Sequence, residues 1–258
     1  MPAERSVSTV DMDDIELPPF PEVAEAVLRK VNDPNSGVDA IANLVQRDPA
    51  LAATVLSVAN SAAFRVGVPA VTLVQAISRM GLRTMTELTV VACLKPAPSD
   101  PEAKQLMADV WSHAVATAAF ARFISKLRRR QVESSFLCGL LHSIGALVLL
   151  DHGERDEARI DQLYVEIGTK VAMNWSMPAS VVAAVGLHRD WPTADTYADE
   201  AATCWLARLL AQEVLGVDIE SEDIHKDPVL ERLDVYPADL ERLREHRDDV
   251  LGLVRVLG

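Results

Sequence analysis

Apolar residues recur every three or four positions along almost the whole chain and nowhere alternate in a sustained period of two, which constrains the fold more than any other feature. Val23, Val27 and Val31 step by four, Val38, Ile41, Leu44 and Val45 form one stripe, and Leu240, Leu243, Val250, Leu251 and Val254 form another. The punctuation agrees. Asp48-Pro49 and Tyr236-Pro237 put proline in a helix's first turn, and Gly81 follows the segment Thr72 to Met80 as a C-cap would. The expected fold class is all-α. With 49% hydrophobic and 24% charged residues in 258, the chain can bury a substantial core, which excludes wholesale disorder. Its most apolar stretch, Phe136 to Leu150, is shorter than a membrane span of about 20 residues. It holds His142, Ser143 and two glycines and is expected to be one buried core helix.

Charge narrows the partners. There are 38 Asp+Glu against 25 Lys+Arg, a formal net charge of -13, so nothing drives the chain broadly toward nucleic acid or anionic lipid. No nucleic-acid partner and no membrane insertion are expected. Cys93, Cys138 and Cys204 form no C-x-x-C pair and read as buried thiols in a reducing compartment. Asp11, Asp13, Asp14 and Glu16 stand where a signal peptide needs a positive start, so a cytoplasmic location is expected. Three prolines between Lys95 and Pro101 stop one helix and delay the next. They divide the chain into a disordered tail (residues 1–16), an N-terminal helical lobe (17–95) and a C-terminal lobe (102–258) closed by a helix from Pro237 to Leu257. Lys126-Leu127-Arg128-Arg129-Arg130 reads as a solvated helix end. Trp111, Trp175, Trp191 and Trp205 read as filling of the second lobe.

Of six histidines, His113, His142 and His188 sit in apolar helical surroundings, whereas His152, His225 and His246 have charged neighbours and read as surface residues. Three buried imidazoles in a helical bundle are either metal ligands or separate histidines satisfied by local hydrogen bonds, and spacing alone leaves both open.

Several segments, in order, resemble one known family. In the first lobe they are Leu17-Pro18-Pro19-Phe20-Pro21, the run from Ile41 to Pro49 with Leu51, Val55 and Leu56, Ala59-Asn60-Ser61, and the run from Val74 to Leu82. In the second they are Trp111-Ser112-His113, Gly139-Leu140-Leu141-His142-Ser143-Ile144-Gly145, Gly168, Trp175-Ser176-Met177-Pro178 and His188. Together they are similar to the HDOD (HD-related output domain) proteins, degenerate relatives of the HD and HD-GYP metal-dependent phosphohydrolases. The resemblance covers about Leu17 to Ala211 and implies a two-lobe helical bundle whose second lobe is HD-like. It also implies that His113 and His142 match two metal-binding histidines. Ser143 replaces the aspartate paired with His142, Tyr164 replaces a histidine ahead of Gly168, Arg189 replaces the second histidine after His188, and Arg208 falls where a late aspartate is usual. If that last register slips, Asp199 is the nearest upstream carboxylate.

A neutral hydroxyl ligates a divalent cation poorly and a fixed cation repels one. No catalytic residue, no metal and no cofactor are therefore expected. The resemblance implies a non-enzymatic bacterial signalling module, stand-alone at this length, that works through an unidentified signalling protein. Its oligomeric state is open. The residues His113, His142, Ser143, Tyr164, His188 and Arg208 form either a remnant pocket for a small anion or nucleotide or a core whose old ligands now satisfy local partners, Ser143 among them. The alternatives are a metal-dependent phosphohydrolase of the cyclic-dinucleotide phosphodiesterase kind with altered ligands, and a nucleotide sensor that does not hydrolyse.

Overall fold

Two helices of the first third of the chain begin at a side chain that caps them. A computed structural model describes residues 15–31, 33, 35–61, 64, 67–95, 101–131, 134–217 and 224–257. The expected tail, up to residue 14, and residues 96–100 of the proline-rich boundary lie outside these. The order opens with α1 (Glu22–Val31), α2 (Val38–Val45), α3 (Pro49–Ala59), α4 (Leu73–Met80) and α5 (Leu82–Leu94). The Asp48 carboxylate accepts the N–H groups of Ala50 and Leu51 with Pro49 in the first turn, Thr72 accepts that of Gln75, and Gly81 caps α4 at φ 83°. The stripes seen in the sequence face inward: Val27, Ile41, Val45, Val55 and Ile77 are fully buried.

Then comes α6 (Pro101–Arg128), whose 28 residues span about 42 Å at 1.5 Å per residue. It is followed by α7 (Ser135–Leu141), α8 (Ile144–Asp151), α9 (Glu157–Asn174), α10 (Ala179–Leu187), a 3₁₀ segment (His188–Thr193), α11 (Ala198–Leu215), a 3₁₀ turn (Ile224–Lys226), α12 (Val229–Arg232), α13 (Pro237–Glu245) and α14 (Arg247–Leu257). The fold is all-α, with no strand among the described residues. Helix α6 is the axis, packed by α7, α8, α11 and α14, while α9 lies across α8 and α10, and α1 to α5 pack on one another. Both ends of the described chain reach back. Helix α14 rests on α6 and α3, the Trp111 indole N–H donates to the Leu257 carbonyl at 2.9 Å, and the Trp175 indole N–H donates to the Pro18 carbonyl at 2.8 Å. One buried apolar cluster runs from Ala24 to Leu257.

Several expectations change. The stretch Phe136 to Leu150 is two helices, broken at His142 and Ser143, the first with Gly139 against α6 and the second with Gly145 against α9. The final helix is also two, parted at His246, whose ring stacks on Phe123 at 3.8 Å between centroids. The basic run after Lys126 is not simply a solvated end. Arg128, 6% exposed, donates to Asp199 at 2.9 Å and to the Leu233 carbonyl at 2.8 Å, and Arg130 and Arg232 close on the same carboxylate. Cys93, Trp191 and Trp205 are half-buried, while Cys138 and Cys204 are buried free thiols. Between α5 and α6, Glu87 and Arg122 lie 3.7 Å apart with Glu87 almost wholly buried. Burial raises its carboxyl to about 7 against the opposing pull of Arg122 and Arg83.

Candidate functional site: a cleft around three neutral histidines

Two glycines set the position of the site. A Cβ on Gly139 would stand 2.7 Å from the Ala118 Cα, and one on Gly145 would stand 2.0 Å from the Tyr164 carbonyl oxygen and 2.5 Å from the Gly168 nitrogen. Helix α7 therefore touches α6 backbone to backbone, and α8 touches α9 in the same way. The turn between them, His142-Ser143, is pressed into the angle where α6 supplies His113, α9 supplies Tyr164 and the end of α10 supplies His188. Helix α11 completes the wall with Arg208.

The three histidines that the sequence singled out are brought together. The ring centroids of His113 and His142 are 5.3 Å apart, as are those of His142 and His188. His142 Nδ1 lies 2.7 Å from the Gly139 carbonyl and His188 Nδ1 lies 2.9 Å from that of Val185. A carbonyl only accepts, so both Nδ1 atoms carry the proton and both Nε2 atoms carry the lone pair. The Tyr164 hydroxyl, 2.9 Å from His188 Nε2, is thereby the donor in that pair.

Burial holds the cluster neutral. It pushes His113 down to about 4, helped by the Arg208 charge, and His142 well below its ordinary value, helped by the two neighbouring imidazoles. It takes His188 down to about 3 against the Val185 carbonyl, which favours the charged ring, with Arg208 and Arg189 adding to the fall. Burial raises the Tyr164 phenol.

Ser143 does not act as a local partner for these rings, because the backbone carbonyls take the Nδ1 protons first. Its hydroxyl is buried with no hydrogen bond among the described residues, as are His113 Nε2 and Gln212 Oε1. Arg208 has its guanidinium 5.1 Å from the centre of the Trp205 ring and no ion pair among the described residues. Arg189 is not a lining residue, but its guanidinium lies over the Tyr164 ring at 5.8 Å and pairs with Asp161 of the cleft wall at 2.8 Å. Asp199 is held in the cluster of Arg128, Arg130 and Arg232 and does not line the cleft.

These groups line a cleft of about 440 Å³ with apolar walls including Leu106, Val110 and Ile160. His113, His142, Ser143, Tyr164 and Arg208 all line it, and His188 sits behind Tyr164. The sequence reading missed Asp109, Glu157, Asp161 and Gln212, which also line the cleft. Asp109 lies four residues before His113 and Gln212 four after Arg208, so helical spacing could have found both. A metal of the kind HD relatives bind does not fit this donor set. Imidazoles anchored through Nδ1 to carbonyls are suitable ligands, but the adjoining position offers a hydroxyl and the facing one a guanidinium. No group of three or more His, Cys, Asp or Glu among the described residues is placed to hold an ion.

Comparisons agree with the architecture. A solved structure from Shewanella amazonensis SB2B, provisionally named a metal-dependent phosphohydrolase, matches with a TM-score of 0.74 at 24% identity over 95% of this chain and 92% of that one. Another from Marinobacter aquaeolei VT8, provisionally named a signal transduction protein, matches at 0.70 and 22% identity over 95% of this chain and 60% of that one. At these identities the likeness is one of fold. An uncharacterized protein of Treponema pallidum (strain Nichols) is 29% identical over 202 residues, 69% of this chain, which spans 39% of that relative's length. No helix among the described residues is long and apolar enough to cross a membrane. The HDOD domain family matches residues 17–165, more than half of the chain, and the chain belongs to that family.

Proposed function

We propose that this protein is a non-catalytic regulatory module of bacterial signal transduction, located in the cytoplasm, whose output is a contact with another signalling protein. On this reading residues 17–95 and 102–258 are its two lobes. The observation that carries it is the pairing of Ser143 with Arg208 in one cleft. A hydroxyl stands beside His142, a cation with no ion pair among the described residues faces it, and the cleft's own carboxylates, Asp109, Glu157 and Asp161, form no metal-holding group with the histidines among the described residues, as hydrolysis of a phosphodiester by a metal would need. Family membership and the signalling name of the Marinobacter neighbour support the regulatory role, and the Shewanella name keeps the hydrolase as the rival.

The test is elemental analysis of protein purified without chelator, beside a phosphodiesterase assay on bis(p-nitrophenyl) phosphate and a cyclic dinucleotide with added Mn or Fe. The expected result is substoichiometric metal and no turnover above the blank. Metal near one equivalent, with turnover that follows it, would overturn the reading.

A further inference from the structure

We propose that the cleft is a binding site for a small amphipathic anion with a single phosphate-monoester or carboxylate headgroup on an apolar body. The inference rests on the non-catalytic reading above, since it takes the anion as ligand and not as substrate. The unmet polar atoms define the headgroup position. Ser143 Oγ and His113 Nε2 are both buried, both lack a hydrogen bond among the described residues, and both belong to residues lining the same cavity. Gln212 Oε1, on another lining residue, is a third. Buried polar atoms without partners are rare in folded proteins, and three in one cleft point to a partner that arrives from outside, one that brings a donor as well as acceptors. Ser143 can donate its hydroxyl proton; His113, whose other ring nitrogen serves the Arg208 carbonyl, presents a lone pair at Nε2 that accepts the O–H of a protonated headgroup.

The charge is supplied by Arg208. Its guanidinium is half-buried, steadied by the Trp205 ring, and matched by no carboxylate among the described residues. Burial keeps His113 and His142 uncharged, so Arg208 is the fixed cation among the residues that line the cleft. A planar fork beside a hydroxyl donor is a chemistry suited to anionic oxygens.

The rest of the cleft sets the remaining specificity. Leu106, Val110, Ala146, Leu150, Ile160 and Val217 line it and suit an apolar body. Asp109 and Glu157, both exposed, stand among the same lining residues and repel a ligand with several negative charges. Tyr164, the lining phenol ring, is buried, holds His188 through its hydroxyl and carries the Arg189 guanidinium over its ring at 5.8 Å, which leaves little of it for a nucleobase. One anionic group on an apolar body therefore suits the cleft better than a polyphosphate nucleotide.

The experiment is calorimetric titration of the full chain with phenyl phosphate, phenylacetate and inorganic phosphate, with the protein's far-ultraviolet circular dichroism recorded for each variant. Saturable binding at one site is expected for phenyl phosphate or phenylacetate, stronger than for inorganic phosphate, and the two aromatic probes tell which headgroup is preferred. Arg208→Gln should weaken it by about tenfold to a hundredfold, and Arg208→Lys by less. Ser143→Ala, which removes an atom with no partner in the fold, should leave the spectrum unchanged and weaken binding by about fivefold. No saturable binding of either aromatic probe by the folded wild type, or equal affinity in Arg208→Gln and Ser143→Ala, overturns the proposal. Release of phenol with added Mn would overturn the non-catalytic reading while supporting the site.

Discussion

Replacing Gly145 by alanine should separate two helices that the fold holds in backbone contact. The new Cβ would stand 2.0 Å from the Tyr164 oxygen and 2.5 Å from the Gly168 nitrogen, where ordinary contact begins at 3.4 Å. Relieving the closer clash requires α8 to move from α9 by about 1.4 Å, the difference 3.4 − 2.0. Neither obstructing atom lies on a side chain that can swing aside, and α8 is buried on all faces from Ile144 to Leu150, so no void takes up the shift. Overpacking of this kind costs about 3 kcal/mol, and the better helix propensity of alanine returns about 1 kcal/mol, leaving a net loss of about 2 kcal/mol. Gly252→Ala in α14 is the matched control, since its Cβ would meet only the Arg255 guanidinium at 4.0 Å. It should stabilise by about 0.5–1 kcal/mol. Urea unfolding followed by far-ultraviolet circular dichroism reads both, with the midpoint moving in opposite directions and the slope unchanged. The same shift would draw Ser143 from Tyr164, so binding of phenyl phosphate should weaken in Gly145→Ala alone. Midpoints for the two variants on the same side of the wild type would refute the close-contact argument.

Two further outcomes follow from the buried charges. His113, His142 and His188 stay neutral in the fold while the unfolded chain takes up protons near pH 6.5, so below that value the unfolded state binds more protons and stability falls as the pH drops. At pH 5 the loss is about 2 kcal/mol for each ring, (6.5 − 5) × 1.36. Glu87 has the opposite sign: its folded value of about 7 against 4.5 makes the folded state bind more protons in that window, offsetting about 2 kcal/mol of the loss at pH 5. Glu87→Gln should therefore lose stability more steeply than the wild type between pH 7 and pH 5 in parallel urea titrations, and equal slopes would show that the carboxyl is not shifted. Asp199→Ala should cost about 3 kcal/mol by leaving Arg128, 6% exposed, uncompensated among the helices. A midpoint change equivalent to less than about 1 kcal/mol would show the cluster to be an ordinary surface network.

The helical class was legible because it depends on local spacing: a stripe repeating every three to four residues buries as a helix wherever it packs, and Asp48, Thr72 and Pro237 mark starts that depend on their own first turns. The identity of the site was legible in part for a similar reason. His113, His142 and His188 stood out as imidazoles among apolar residues, and Ser143 and Arg208 as substitutions at matching positions. Their meeting was not legible. It depends on Gly139 and Gly145, whose missing side chains let α7 lie on α6 and α8 on α9, and on a break at His142-Ser143 that an uninterrupted apolar run conceals. Tertiary structure likewise decided the protonation of the cluster, because the carbonyls of Gly139 and Val185 choose the tautomers and desolvation keeps the rings neutral. It also decided that Arg208 lines the cleft with no counter-ion among the described residues while Arg128, in a run that reads as solvated, is buried on Asp199. Spacing along a chain sets which residues share a helix face; which faces meet, and what charge survives there, depends on how closely the backbones approach.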